Sequence, residues 1–227
     1  MKLLSSLKVA TLATVAITTF SIRPNLAQNA SFPDIKNNIY KTEIEEAAKM
    51  GIVEGFPDGT FGPDKTVTRE QAVVMIVKAI GKVMPVDLNN RPRNFPPFMD
   101  LPTDRWSAKS VYWLQSNVFP ANAAKLTGNF LPEAPITRTG LVEFLKWTAE
   151  LISIKLRASA ELIQTKEPTV FSDVYGYDKV LTMQMSAFCN VASPLNEKGT
   201  KFFPRKQANR DYVAAAIVRA VKCPQNN

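Results

Sequence analysis

The chain has 227 residues, with 28 Lys and Arg against 20 Asp and Glu, two cysteines and no histidine. The missing imidazole excludes histidine triads, His-ligated zinc and imidazole base chemistry. The formal charge of +8 suits an anionic polymer as partner, but no dense Lys/Arg patch with interleaved aromatics marks a nucleic-acid module.

Residues 1–27 read as a secretory signal. Lys2 and Lys8 precede an apolar core from Val9 to Phe20, and Asn25-Leu26-Ala27 offers a cleavage site. The apolar run is short for a membrane span, so a retained anchor is the lesser alternative. Cleavage removes Lys2, Lys8 and Arg23 and no acid, lowering the charge to +5. No other stretch approaches a transmembrane length, so an exported protein of the cell envelope, periplasmic or at the wall surface, is expected.

Residues 28–81 begin the folded part. A first helix is expected around Thr42 to Met50, with Gly51 as its C-terminal cap. Gly55 to Ala72 reads GFPDGTFGPDKTVTREQA, a turn followed by a helix start at which Thr68 and Gln71 form a capping box. Apolar residues at helical spacing, Ala72, Val73, Ile76, Val77 and Ile80, carry the second helix to Gly81. Residues 82–97, with Pro85, Pro92, Pro96 and Pro97, read as an ordered connector of extended character.

Residues 98–163 repeat the plan. A helix is expected from Trp106 to Ser116, with Trp106 and Trp113 as core residues or, as the lesser alternative, sugar contacts, and a loop after it over Phe119 to Phe130. A long helix starts at Arg138 and is expected to run toward Leu162. After a connector at 164–170, residues 171–223 repeat the plan again. They hold a helix-like stretch from Tyr175 to Phe188, a loop to Pro204, and a last helix from Arg210; a tail at 224–227 is expected to fray. Cys189 and Cys223 are 34 positions apart, and in an exported chain a disulfide is the natural reading, with two buried thiols as the alternative. Closing that loop is worth roughly 3–4 kcal/mol.

Three helices open the same unfavourable way. Thr68-Arg69, Thr137-Arg138 and Asn209-Arg210 each place a cation at the positive end of a helix, at a cost of roughly 0.3–1 kcal/mol each. Each follows Phe61-Gly62-Pro63, Phe130-Leu131-Pro132 or Phe203-Pro204. A helix start with an arginine can bind an anion; three caps with three solvated arginines is the plainer alternative. Upstream lie Phe32-Pro33-Asp34-Ile35, Phe98-Met99-Asp100-Leu101 and Phe171-Ser172-Asp173-Val174, at 37, 40 and 39 positions from their arginines. Self-similarity on that scale means a repeated supersecondary unit.

These residues resemble the S-layer homology repeat, whose pattern runs F-x-D-[VI], G-[IL]-[IV]-x-G, [YF]-P-D-G-T-F-x-P and [IV]-T-R-A-E. The first repeat matches closely through Phe32 to Ile35, Gly51 to Pro63 and Val67 to Gln71; the second and third are divergent. The motif Glu is replaced by Gln71, Gly140 and Tyr212. The resemblance implies an all-α fold of three helix-loop-helix units with pseudo-three-fold symmetry, non-catalytic and without a cofactor. It implies binding of an acidic, often pyruvylated, cell-wall polysaccharide attached to peptidoglycan in grooves between repeats. By matching position the glycan contacts are Arg69, Arg138 and Arg210, with Asp34, Gly55, Asp58 and Gly59 beside them; Asp34, Asp100 and Asp173 are as readily explained as loop supports. The rival reading is a scaffold that binds another envelope protein through apolar surface near Leu151 to Leu162. A hydrolase using paired carboxylates finds no room beside the repeats, and Asp58 with Asp64 lacks the ligand spacing of a calcium loop.

Overall fold

A computed structural model describes residues 31–90, 98–118 and 128–226. The signal-sequence reading for residues 1–27 lies outside the described residues, as do residues 91–97 of the connector and 119–127 of the second loop. Among the described residues the fold is all-α, with helices α1 (Lys41–Lys49), α2 (Arg69–Ile80), α3 (Ala108–Asn117), α4 (Arg138–Arg157), α5 (Gly176–Ala187) and α6 (Arg210–Asn226) and no strand beyond isolated bridges.

Two layers follow from the sequence. α2, α4 and α6 pack on one another, while α1 packs on α6, α3 on α2 and α5 on α4. The last inner helix is apolar over most of its middle, as a buried helix must be. In α6, Val213, Ala214, Ala215, Ala216, Ile217, Val218, Ala220 and Val221 are all buried. The alanines let α4 and α1 approach closely, and Val73, Ile76, Val77 and Ile80 of α2 fill the same core.

The helix starts are tied into a closed ring. Isolated bridges pair Thr68 with Pro135, Thr137 with Gln207 and Thr66 with Asn209. Each inner helix spends its first two amides on the next repeat's loop. Arg69 N and Glu70 N donate to Ala134 O and Pro132 O at 2.9 and 3.1 Å; Arg138 N and Thr139 N donate to Lys206 O and Pro204 O at 2.9 and 3.1 Å. Arg210 N and Asp211 N complete the circuit to Lys65 O and Pro63 O at 2.8 and 3.1 Å. The first and last described helices are also clamped, because Arg219 of α6 pairs with Glu43 of α1 and with Glu197 at 2.8 Å.

The disulfide expectation holds: Cys189 and Cys223 are bonded, their Cα atoms 6.0 Å apart, fixing the end of α5 to the end of α6. Some boundaries differ from expectation. α4 stops at Arg157, where Ala158 turns left-handed at φ 55° and Arg157 Nη2 donates back to Glu161 O at 2.8 Å. α6 continues through Pro224 instead of fraying, and Gln225 Nε2 donates to Val221 O at 2.8 Å. Trp106 precedes α3 and is 61% exposed, not core; Trp113 is buried as expected.

Candidate functional site

The motif residues assemble one junction three times. Each motif aspartate holds its own repeat's loop through two backbone amides. Asp34 accepts from Phe61 N and Gly62 N, Asp100 from Phe130 N and Leu131 N, and Asp173 from Phe202 N and Phe203 N, at 2.7–3.1 Å. The first motif phenylalanine then packs at a tilt against the loop phenylalanine: Phe32 on Phe61, Phe98 on Phe130 and Phe171 on Phe202, with centroids 5.2–5.4 Å apart. In the third repeat the buried motif aromatic is therefore Phe202. Phe203, which the sequence reading placed there, sits at the intervening position.

Each motif arginine reaches across to the next loop. Arg69 Nε donates to Phe130 O at 2.8 Å, Arg138 Nε to Phe202 O at 2.8 Å, and Arg210 Nε to Phe61 O at 3.0 Å. The rings lie against the cations, as cation–π attraction favours. Arg69 lies 5.2 and 5.3 Å from the Phe130 and Phe144 centroids, Arg138 4.7 and 3.8 Å from Phe202 and Tyr212, and Arg210 4.8 and 5.2 Å from Phe61 and Phe56.

The three arginines differ in what remains open. Arg138 is 2% exposed and gives Nη2 to Ser193 O at 2.6 Å. It borders a cavity of only about 60 Å3, too small for a sugar ring. Arg210 is half-buried and gives Nη2 to Glu54 O at 2.6 Å. Arg69 is half-buried, and among the described residues its Nη groups make no hydrogen bond. Burial lowers the Arg69 guanidinium from the ordinary arginine range, with Glu143 and then Asp100 opposing; burial lowers Arg210 too, with Glu54 opposing. Both remain cations at neutral pH.

The helix-start amides do not converge on open space, because the loop carbonyls of the next repeat already take them. An anion must therefore be met by guanidinium groups and not by helix N–H groups. The position of the missing motif Glu is also explained. Gln71 makes the capping box, its side chain accepting from Thr68 N at 3.0 Å while Thr68 Oγ1 accepts from Gln71 N at 3.3 Å. Gly140 keeps half of that cap through Thr137 Oγ1 at 3.1 Å. Tyr212 instead lays its ring over Arg138 and donates its hydroxyl to Val191 O at 3.0 Å.

The loop residues beside Arg210 have local tasks. A Cβ at Gly55 would come within 2.6 Å of the Phe32 ring, so the glycine is a packing requirement. Gly59 has φ +84°, and Asp58 Oδ1 accepts from Thr60 Oγ1 and N at 2.7 and 2.9 Å, which holds the Asp58 carboxyl below its usual range. Asp58 and Gly59 thus shape the turn, and Gly55, Asp58 and Gly59 lie on the loop reached by Arg210, not Arg69.

One position is strained twice. Where the first repeat has Gly62 at φ 70°, the others have Leu131 at φ 58° and Phe203 at φ 57°. A left-handed residue with a side chain costs roughly 1–2 kcal/mol, and Leu131 is 54% exposed, so burial returns little. Leu131→Gly is expected to raise stability by about 0.5–1 kcal/mol after the glycine's own entropic cost, read as a higher Tm. A lower Tm would show that Leu131 packs better than its exposure implies.

Residues 31–73 match the S-layer homology domain. Over those residues the chain is similar to the S-layer homology domain. Across the longer span it is 28% identical to the S-layer protein EA1 of Bacillus anthracis, over 90% of this chain and 22% of that protein. It is 28% identical to an amylopullulanase of Thermoanaerobacterium thermosulfurigenes over 88% of this chain and 10% of that protein. A cellulosome-anchoring protein of Acetivibrio thermocellus is 32% identical over 38% of this chain and 18% of that protein. The chain thus spans about a fifth or less of these relatives' lengths. The S-layer homology domain is a non-catalytic module of cell-surface anchoring.

Proposed function

We propose that the chain is a non-catalytic envelope module that recognises an acidic wall polysaccharide, pyruvylated or otherwise carboxylated, and holds the protein on the wall. The observation that carries this reading is Arg69, a half-buried cation at the junction of the first two repeats. It is fixed by its Nε bond to Phe130 O and by two rings, with its Nη groups uncommitted among the described residues. A planar fork held in this way suits bidentate recognition of a carboxylate. Arg210 retains less, and Arg138 in this reading holds the fold. The threefold recurrence of the junction contacts supports a pseudo-three-fold arrangement in which the grooves have become unequal. The names of the relatives, an S-layer protein and a cellulosome-anchoring protein, agree with an envelope setting. Among the described residues no helix is long and apolar enough to cross a membrane.

The test is a pull-down of the chain on purified peptidoglycan sacculi, with and without their attached polysaccharide. Arg69→Ala is expected to weaken binding roughly 10- to 100-fold, the loss of one or two charge-assisted hydrogen bonds, and stripping should abolish it. Binding unaffected by either change would overturn the reading. It would turn attention to the second one, a scaffold for another envelope protein, which the exposed Ile154, Leu156 and Ile163 favour.

A further inference from the structure

The third repeat carries a surface that the motif arginines do not reach. Phe203 occupies the left-handed position at φ 57°, its amide held by Asp173 Oδ2 at 2.7 Å, and its side chain is 40% exposed. Tyr175 is 78% exposed, and its hydroxyl donates to Ser172 O at 3.2 Å, which fixes the ring in solvent. Both rings line a cleft of about 500 Å3 together with Asp178, Arg205 and Lys206. That volume lies in the range of small-ligand sites, roughly 300–1,000 Å3. The side chains of Arg205 and Lys206 are exposed and make no hydrogen bond among the described residues. Arg138, the motif arginine that contacts this loop, is not among the lining residues.

We infer that this cleft is a pyranose-binding subsite. A sugar ring has an apolar C–H face and a rim of hydroxyls. The C–H face meets the negative face of an aromatic ring, Asp178 accepts from hydroxyls, and Arg205 and Lys206 donate to hydroxyls or to a carboxylate substituent. The left-handed backbone recurs at Gly62 and Leu131 and belongs to the repeat, so the exposed aromatic side chain is what sets the third loop apart. The assignment rests on the envelope-glycan reading for its partner, and it adds a recognition surface in the repeat whose preceding arginine is sealed by Tyr212. The third loop would then read the sugar face where the first junction reads the charge.

The experiment is a calorimetric titration of the full chain with short oligosaccharides released from the sacculi of the source organism. Phe203→Gly suits the local backbone, so the variant should fold. It is expected to bind at least tenfold more weakly, while Phe203→Trp stays close to the unsubstituted chain. Phe203→Gly binding as tightly as the unsubstituted chain overturns the subsite. Arg69→Ala separates the two proposals. Weakening by Arg69→Ala alone refutes the cleft and keeps the arginine reading, whereas weakening by Phe203→Gly alone does the reverse. No binding by the unsubstituted chain refutes both.

Discussion

Arg138→Ala is expected to destabilise the chain by about 3–5 kcal/mol, lowering both Tm and the urea midpoint. The guanidinium is 2% exposed and supplies the donors for Phe202 O and Ser193 O. Its removal leaves two carbonyls short of a partner, at about 1–3 kcal/mol each when buried, and opens a void between the Phe202 and Tyr212 rings. Part of the loss is offset, because burying a cation is itself costly. For that reason Arg138→Met, which keeps the volume between the rings, should cost less than alanine. Arg69→Ala, with its half-exposed side chain and one bond to Phe130 O, should cost only about 1–2 kcal/mol. Equal small losses for Arg138→Ala and Arg69→Ala would show that Arg138 is not a lock between the second and third repeats. A large loss at Arg138 alone would establish that the fold leans on this copy of the motif arginine and leaves Arg69 free for another task.

The unequal burial of the three arginines was hidden from the sequence for a physical reason. Thr68-Arg69-Glu70-Gln71 announces a capped helix through local chemistry, and α2 runs from Arg69 to Ile80 as its spacing predicts. The acceptors of the arginines lie 61, 64 and 149 positions away, so nothing local reveals that the loop carbonyls already claim the helix amides and each Nε. The Phe-x-Pro motifs held the signal, since an aromatic recurring at the same offset as an arginine suggests a mutual contact. The third copy concealed it by offering two adjacent phenylalanines, of which Phe202 is buried and Phe203 is exposed. Trp106 misled because an aromatic near a helix start is usually core, yet it stands outside α3 while its neighbours Arg105 and Ser107 turn inward to Glu70. Pro224 misled similarly. A proline ends a helix when its missing N–H is needed, but α6 is already tied at that end by the Cys189–Cys223 bond.

Arg105→Ala is expected to lower Tm at neutral pH, because it leaves the Glu70 carboxylate without its cation. Glu70, 5% exposed, accepts Arg105 Nε at 2.7 Å and Nη2 at 2.8 Å, and Ser107 Oγ at 2.6 Å. This pair joins the start of α2 to the approach of α3, so it couples the first repeat to the second. The corresponding site of α6 makes a milder link, Asn38 Nδ2 donating to Asp211 at 2.9 Å, and in α4 Thr139 Oγ1 is buried with no hydrogen bond among the described residues. The first junction, where the Arg69 Nη groups make no hydrogen bond among the described residues, thus carries an ionic tie at its helix start. The hydrogen bond from Arg105 holds the Glu70 carboxyl below its usual range, outweighing burial, with Ser107 assisting. A depressed carboxyl contributes its stabilisation fully above its unfolded pKa, about 4.3, and loses it as pH falls through the lower folded value. In Arg105→Ala the carboxyl loses that support and takes up a proton more readily. The gap in stability between the two proteins should therefore be widest near pH 7 and narrow toward about pH 3. Arg105→Ala combined with Glu70→Gln should recover part of the loss at pH 7, since no buried charge then stands alone. A gap that stays constant from pH 7 to 3, with no recovery in the double variant, would mean that Arg105 acts through its packing and that the repeats are joined by the backbone ring alone.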